Sequence, residues 1–112
     1  MAKDGFYKVD FGALIQGAGG IVVIEGGKIR GGDDQYLYSG TASTQGNSIS
    51  AELRVAAYAA TAESVFGTRG GAFNLVLQGD LVGDGFVVTG KSPTGAGPDI
   101  VVRATRIAEL TL

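Results

Sequence analysis

Apolar and polar side chains alternate with period two along much of the chain, and glycine-rich stretches interrupt the alternation at short intervals. Half-buried β-strands joined by tight turns produce this pattern. Over Gly5 to Phe11, Tyr7, Val9 and Phe11 share one face and Phe6, Lys8 and Asp10 the other, so the first trio is expected to point inward. A second strand covers Gly19 to Glu25 and contains the β-branched run Ile21-Val22-Val23-Ile24. The Gly26-Gly27 pair supplies the positive φ angles of a short hairpin. Beyond it, Lys28 to Gly31 and Gln35 to Ser43 are predicted as the third and fourth strands, with Tyr36 and Tyr38 on a common face, and Thr44-Gln45-Gly46-Asn47 as the next turn.

The stretch from Ser48 to Phe66 carries two signals. Its alanines favour a helix, whereas Ile49, Ala51, Leu53 and Val55 alternate against Ser50, Glu52 and Arg54. The reading that reconciles them is a strand over Ser48 to Ala57 and one short helical turn over Thr61 to Phe66, with Thr61 as its N-cap. Three further strands are expected at Ala72 to Gln78, Phe86 to Lys91 and Asp99 to Ile107, with Pro93 and Pro98 in the last loop. Gly19-Gly20 and Ser39-Gly40 have faint counterparts in Gly70-Gly71 and Thr89-Gly90, too little in so glycine-rich a chain to define a repeat.

A meander of about eight short strands must dispose of its two edges, and closing on itself leaves neither unpaired. The expected fold is therefore all-β, a small antiparallel β-barrel with one short helix, occupying residues 1–112 as a single domain. Its inward residues are predicted to be Tyr7, Val9, Phe11, Tyr38, Leu53, Val55, Leu75, Leu77, Val88 and Val102. Such a lumen can be filled by these side chains or hold one small apolar ligand, and packing is the favoured reading.

Composition narrows the chemistry. The chain of 112 residues contains no histidine and no cysteine, which removes the commonest general base, imidazole and thiolate metal ligands, and any disulfide. Nine basic residues are scattered through a chain of net charge −2, so no basic stripe is on offer to nucleic acid. The longest apolar runs are far shorter than the ~20 residues of a spanning helix, and no basic start leads into an apolar signal segment. A cytoplasmic protein with no membrane partner is expected.

Candidate catalytic motifs do not assemble. Gly17-Ala18-Gly19-Gly20 resembles a phosphate loop, but a β-branched strand follows where a helix N-terminus should stand. Asp33-Asp34, and Asp80 with Asp84, lack the ligand spacing of a calcium loop and read as turn residues. No Ser-x-x-Lys spacing offers a lysine-activated nucleophile. A non-enzyme without metal or cofactor is expected, and Arg54, Arg103 and Arg106 are assigned to solvated or cross-strand ion-pair roles. Phe6, Leu37, Val76, Val87 and Val101 fall opposite the inward set, and this outward apolar surface predicts self-association as a homodimer.

Lys3-Asp4-Gly5-Phe6-Tyr7 with the strand ending at Phe11, Gly20 leading into Ile24, Gly27-Lys28-Ile29, Gly31-Gly32-Asp33 and Tyr38-x-Gly40 together resemble the GrlR family of type III secretion negative regulators. The match in order and spacing covers residues 3–57 and thins toward Leu110. The resemblance implies a lipocalin-like barrel with one short helix that dimerises, is not an enzyme, and binds a transcriptional activator to keep it from working. It also implies that an acidic four-residue element after the Tyr-x-Gly strand contacts the partner. Here that partner-binding loop corresponds to Ser43, Thr44, Gln45, Gly46 and Asn47 and holds no carboxylate, so it cannot steer a basic partner electrostatically. The functional expectation is a binding protein that sequesters a regulatory protein, and the alternative is a carrier or sensor of a small lipophilic ligand held in the lumen.

Overall fold

Eight strands follow one another around a closed sheet, each hydrogen-bonded antiparallel to its neighbours in sequence and the last to the first. The computed structural model describes residues 2–10, 19–58, 72–91 and 99–112. The strands are β1 Gly5–Asp10, β2 Gly19–Glu25, β3 Lys28–Gly32, β4 Tyr36–Gln45, β5 Ser48–Ala57, β6 Ala72–Val82, β7 Gly85–Gly90 and β8 Ile100–Ala108. The expected closed antiparallel barrel is therefore present. The short helix over Thr61 to Phe66, the inward position of Phe11 and the loop with Pro93 and Pro98 lie outside the described residues.

Strands two and five run over the expected spans, the first does so as far as the described residues reach, and the other five differ at their ends by one to four residues. Strand β4 starts at Tyr36 because the Asp33 carboxylate accepts from the amides of Gln35 (2.8 Å) and Tyr36 (2.7 Å), holding Gln35 in the turn. Strand β6 runs four residues past the expected Gln78, since Gly79 is not a turn residue but pairs with both Ile49 and Val88. Val82 and Gly85 are then joined by the two-residue turn Gly83-Asp84.

Three such turns, at 26–27, 46–47 and 83–84, close one end of the barrel. Gly26 and Gly27 both have positive φ (58° and 79°), the signs of a type I′ turn, which suits the twist of paired strands. Gly46 (φ 60°) precedes an Asn47 of negative φ, the type II′ arrangement. The strand ends that lead to residues 11–18, 33–35, 58–71 and 91–99 are gathered at the opposite end.

Side chains of alternate residues enter the lumen and form one apolar cluster in which Ile24, Leu77, Val88 and Tyr7 are the most deeply buried. Fully burying an aliphatic side chain contributes about 2 kcal/mol, so this cluster is the main stabilising element. Closing so small a barrel also requires inward positions with no side chain. Gly40 lies between Ile29 and Leu53, and a Cβ there would run into the carbonyl oxygen of Glu52. Gly79 makes the same close approach to the carbonyl of Val87. At the seam, Phe6 pairs with Ala108 and Tyr7 with Arg106, so Ile107 is an extra residue, and this bulge sharpens the twist where β8 meets β1.

Two substitutions separate these demands. Gly40→Ala forces backbone apart and is expected to lower stability by about 2–3 kcal/mol in urea unfolding. Gly46→Ala meets nothing within 4 Å and carries only the left-handed backbone cost, about 1–2 kcal/mol.

Candidate functional site

The interior, the turn end and the outer wall each present different chemistry. Of the predicted lumen residues, Tyr7, Val9, Tyr38, Val55, Leu75, Leu77, Val88 and Val102 are buried inside the barrel, and Leu53 is half-buried against the same cluster. The prediction left out Val22, Ile24, Ile29, Tyr36, Ile49, Phe86 and Ile100, which are buried with them. In β2 four successive β-branched residues hide the parity, whereas Tyr36 follows from the face it is predicted to share with Tyr38, and Phe86 from Val88 two residues away on the same strand.

One polar cluster sits at the end of the barrel away from the tight turns. Beyond its two backbone contacts, Asp33 accepts a short hydrogen bond from the Tyr38 hydroxyl through Oδ2. Its carbonyl accepts from the Tyr58 hydroxyl at 2.7 Å, and the Tyr58 amide donates to the Gln35 carbonyl at 3.0 Å. Burial first, then the bond to Asp33 and its negative charge, push the Tyr38 phenol far above its ordinary ionisation range. Asp33 is thus a turn residue, as expected, and it also ties the β3–β4 connection to β4 and to the end of β5. The other expected acidic pair separates, since Asp84 lies in a turn while Asp80 stands in β6 opposite Val87. Among the described residues no group of three or more carboxylates could hold a metal ion.

Only Gly46 and Asn47 of the predicted partner-binding loop form a turn. Ser43, Thr44 and Gln45 belong to β4, where they pair with Ser50, Ile49 and Ser48, because a two-residue type II′ turn lets the ladder run to its end. The Ser43 and Ser50 hydroxyls lie 3.1 Å apart across this ladder.

A cleft of about 120 Å³ opens at the tight-turn end between Ala2, Lys3, Leu81 and Asp84, with Tyr7 and Phe86 at its base. Their rings meet at 5.7 Å and 43°. The segment leading into β1 is fastened beside it by three bonds. The Tyr7 hydroxyl donates to the Lys3 carbonyl (2.6 Å), Arg106 Nε donates to the Asp4 carbonyl (3.0 Å), and the Gly26 amide donates to the Asp4 carboxylate (3.0 Å). Burial raises the Tyr7 phenol; Arg106 opposes that rise, and Asp4 and Asp84 add to it.

The outer wall is organised in rows fixed by the register. Ile21, Gly32, Leu37, Ala56 and Ala72 stand opposite one another in turn across β2 to β6, forming an apolar row with Leu37 55% and Ile21 43% exposed. A Cβ at Gly32 would lie 3.2 Å from Leu37 Cδ2, so Leu37 leans across the bare backbone of β3. The next row along the strands is Val23, Arg30, Ser39, Arg54 and Asn74. Exposed charges at Lys8, Arg30, Glu52, Arg54, Asp80 and Arg103 occupy outward mid-strand positions, where a lipid-facing barrel carries apolar side chains. No described helix is long and apolar enough to cross a membrane. Of the outward set predicted from sequence, Leu37 and Val76 are exposed, while Phe6, Val87 and Val101 are partly covered.

Comparison of the chain with protein-family models finds no match, and comparison with curated proteins finds none either.

The tyrosine geometry sets an alkaline limit. A phenol whose folded-state ionisation is raised above its unfolded value leaves stability unchanged below about pH 10 and costs stability above it. In a titration followed at 295 nm, Tyr38 is expected to stay silent until the barrel unfolds. Tyr38→Phe is expected to flatten the fall of stability above pH 10 while costing about 1 kcal/mol at neutral pH through the lost bond to Asp33.

Proposed function

We propose that this protein is a non-enzymatic binding barrel that holds a regulatory protein on its outer wall, as the GrlR-like negative regulators it resembles hold a transcriptional activator in the cytoplasm. The observation that carries this reading is the apolar row of Ile21, Gly32, Leu37, Ala56 and Ala72, in which Leu37 and Ile21 are exposed, beside a row that carries Arg30, Ser39, Arg54 and Asn74. Exposed apolar side chains grouped in this way mark interaction surfaces more often than isolated ones do. The Ser43–Asn47 hairpin tip continues the same two strands, so a partner on the row could reach it, though by hydrogen bonding rather than by charge. A second apolar group, Phe6 and Val23 with Ile107, offers a place for two-fold self-contact. The lipocalin-like carrier reading draws support from the cleft over Tyr7 and Phe86, but its 120 Å³ is well under the ~300 Å³ of a small ligand pocket.

Leu37→Asp tests the reading at little cost in stability, within about 0.5 kcal/mol for an exposed position. Immobilised wild-type protein is expected to retain a DNA-binding regulator, identified by mass spectrometry, and to reduce that regulator's affinity for its DNA. The folded Leu37→Asp variant should retain at least about tenfold less, the equivalent of 1.4 kcal/mol. Equal capture by both forms, or a small lipophilic molecule found bound in native mass spectrometry with no protein captured, would refute the proposal. Light scattering is expected to report twice the 11.3 kDa chain mass, and a concentration-independent monomer would remove the dimer.

A further inference from the structure

Two arginines stand in the row beside the apolar one, and among the described residues neither is paired with a carboxylate. Arg30 and Arg54 lie on either side of Ser39 across three adjacent strands, so their backbones are two strand spacings apart, about 10 Å. Both are exposed, as is Ser39. Arg30 Nη1 donates to the Ile29 carbonyl at 2.8 Å and reaches the Gly40 carbonyl at 3.5 Å, which draws the guanidinium toward β4 and over the strand that carries Ser39. Among the described residues Arg54 Nη1 is engaged by Asn74 Oδ1 alone, at a long 3.4 Å. The carboxylates nearest in register, Glu25 and Glu52, belong to the following row, where they face Lys28 and Thr41.

We infer that the β2–β5 wall binds an extended acidic peptide segment of a partner protein, with a Glu or Asp side chain on Arg30, Ser39 and Arg54 and an apolar side chain two residues away on Leu37 and Gly32. Charge complementarity selects the occupant. An arginine fork pairs with a carboxylate through two parallel bonds, and here the Ser39 hydroxyl adds a third donor between two such forks. The spacing selects its conformation. Successive outward rows are two residues apart on each strand, about 7 Å, and side chains at i and i+2 of an extended peptide have the same separation. Glu-x-Leu in a strand-like segment therefore places its acid on one row and its leucine on the other. This inference rests on the outer wall being the binding surface.

The probe is acetyl-Gly-Glu-Gly-Leu-Gly-amide, titrated into the full ¹⁵N-labelled chain and read by NMR. Amide shifts are expected to centre on Arg30, Gly32, Leu37, Ser39, Arg54 and Ala56. Binding should weaken at least about fivefold in the Arg30→Gln/Arg54→Gln double variant, with the Glu→Gln peptide, and on raising salt from about 0.05 to about 0.5 M, as for a screened charge pair. Both arginines are exposed, so the variant keeps its spectral dispersion and serves as a folded control. No shift at about 10 mM peptide, where even a Kd of a few millimolar would show, overturns the inference. So do shifts centred elsewhere, affinity unchanged in the double variant, or shifts of the same amides with protein concentration alone, which would seat a second copy there. A partner lost on Leu37→Asp but retained by the double variant removes the acidic site and leaves the binding wall standing.

Discussion

Closure of the strand ladder between β8 and β1 is the constraint on which the rest of the molecule depends. An open meander of these strands would present two unpaired edges and half of its apolar face to water, whereas the closed sheet satisfies every strand on both sides. Closure at this size makes demands on residue choice inside. Large side chains such as Tyr7, Tyr38 and Phe86 can share the lumen only if other inward positions are bare, and Gly40 and Gly79 supply that space by letting neighbouring backbones come close. The extra residue Ile107 adds the twist that brings the last strand onto the first. Interior glycine and interior aromatic residues are thus two halves of one packing solution.

The same glycines explain what could and could not be read from the chain. Strands β2 and β5 were legible end to end because a Gly-Gly or Gly-Asn turn bounds them on one side and alternation is clean in β5. Strand β6 is longer than its pattern predicts, because glycine followed by aspartate at 79–80 has the composition of a turn and only tertiary pairing shows it to be a strand interior. The loop expected at 43–47 is longer than the real turn for the opposite reason. Ser, Thr and Gln suit a loop by composition, yet a two-residue turn leaves them on the ladder. The outer rows could not be read at all, since cross-strand neighbours depend on register, and register is a property of the closed sheet.

Polarity is distributed unevenly over the finished barrel. The tight-turn end is fastened by the Lys3–Asp4 segment, and the opposite end is held by Asp33, which serves two amides and one phenol with a single carboxylate while its carbonyl takes a second phenol. Between these fastenings the wall is free to vary, because outward side chains touch the core only through the backbone. A surface for recognition can be built there without disturbing the interior.

Leu37 and Tyr38 are consecutive residues, one displayed on the wall and the other sealed in the lumen with its hydroxyl on Asp33. A slip of one residue in β4 would exchange them, dismantling the outer row and the inner cluster together. Whatever grips Leu37 therefore recognises only the correctly registered barrel, and by mass action it would act as a thermodynamic chaperone, its occupancy adding directly to the free energy of folding.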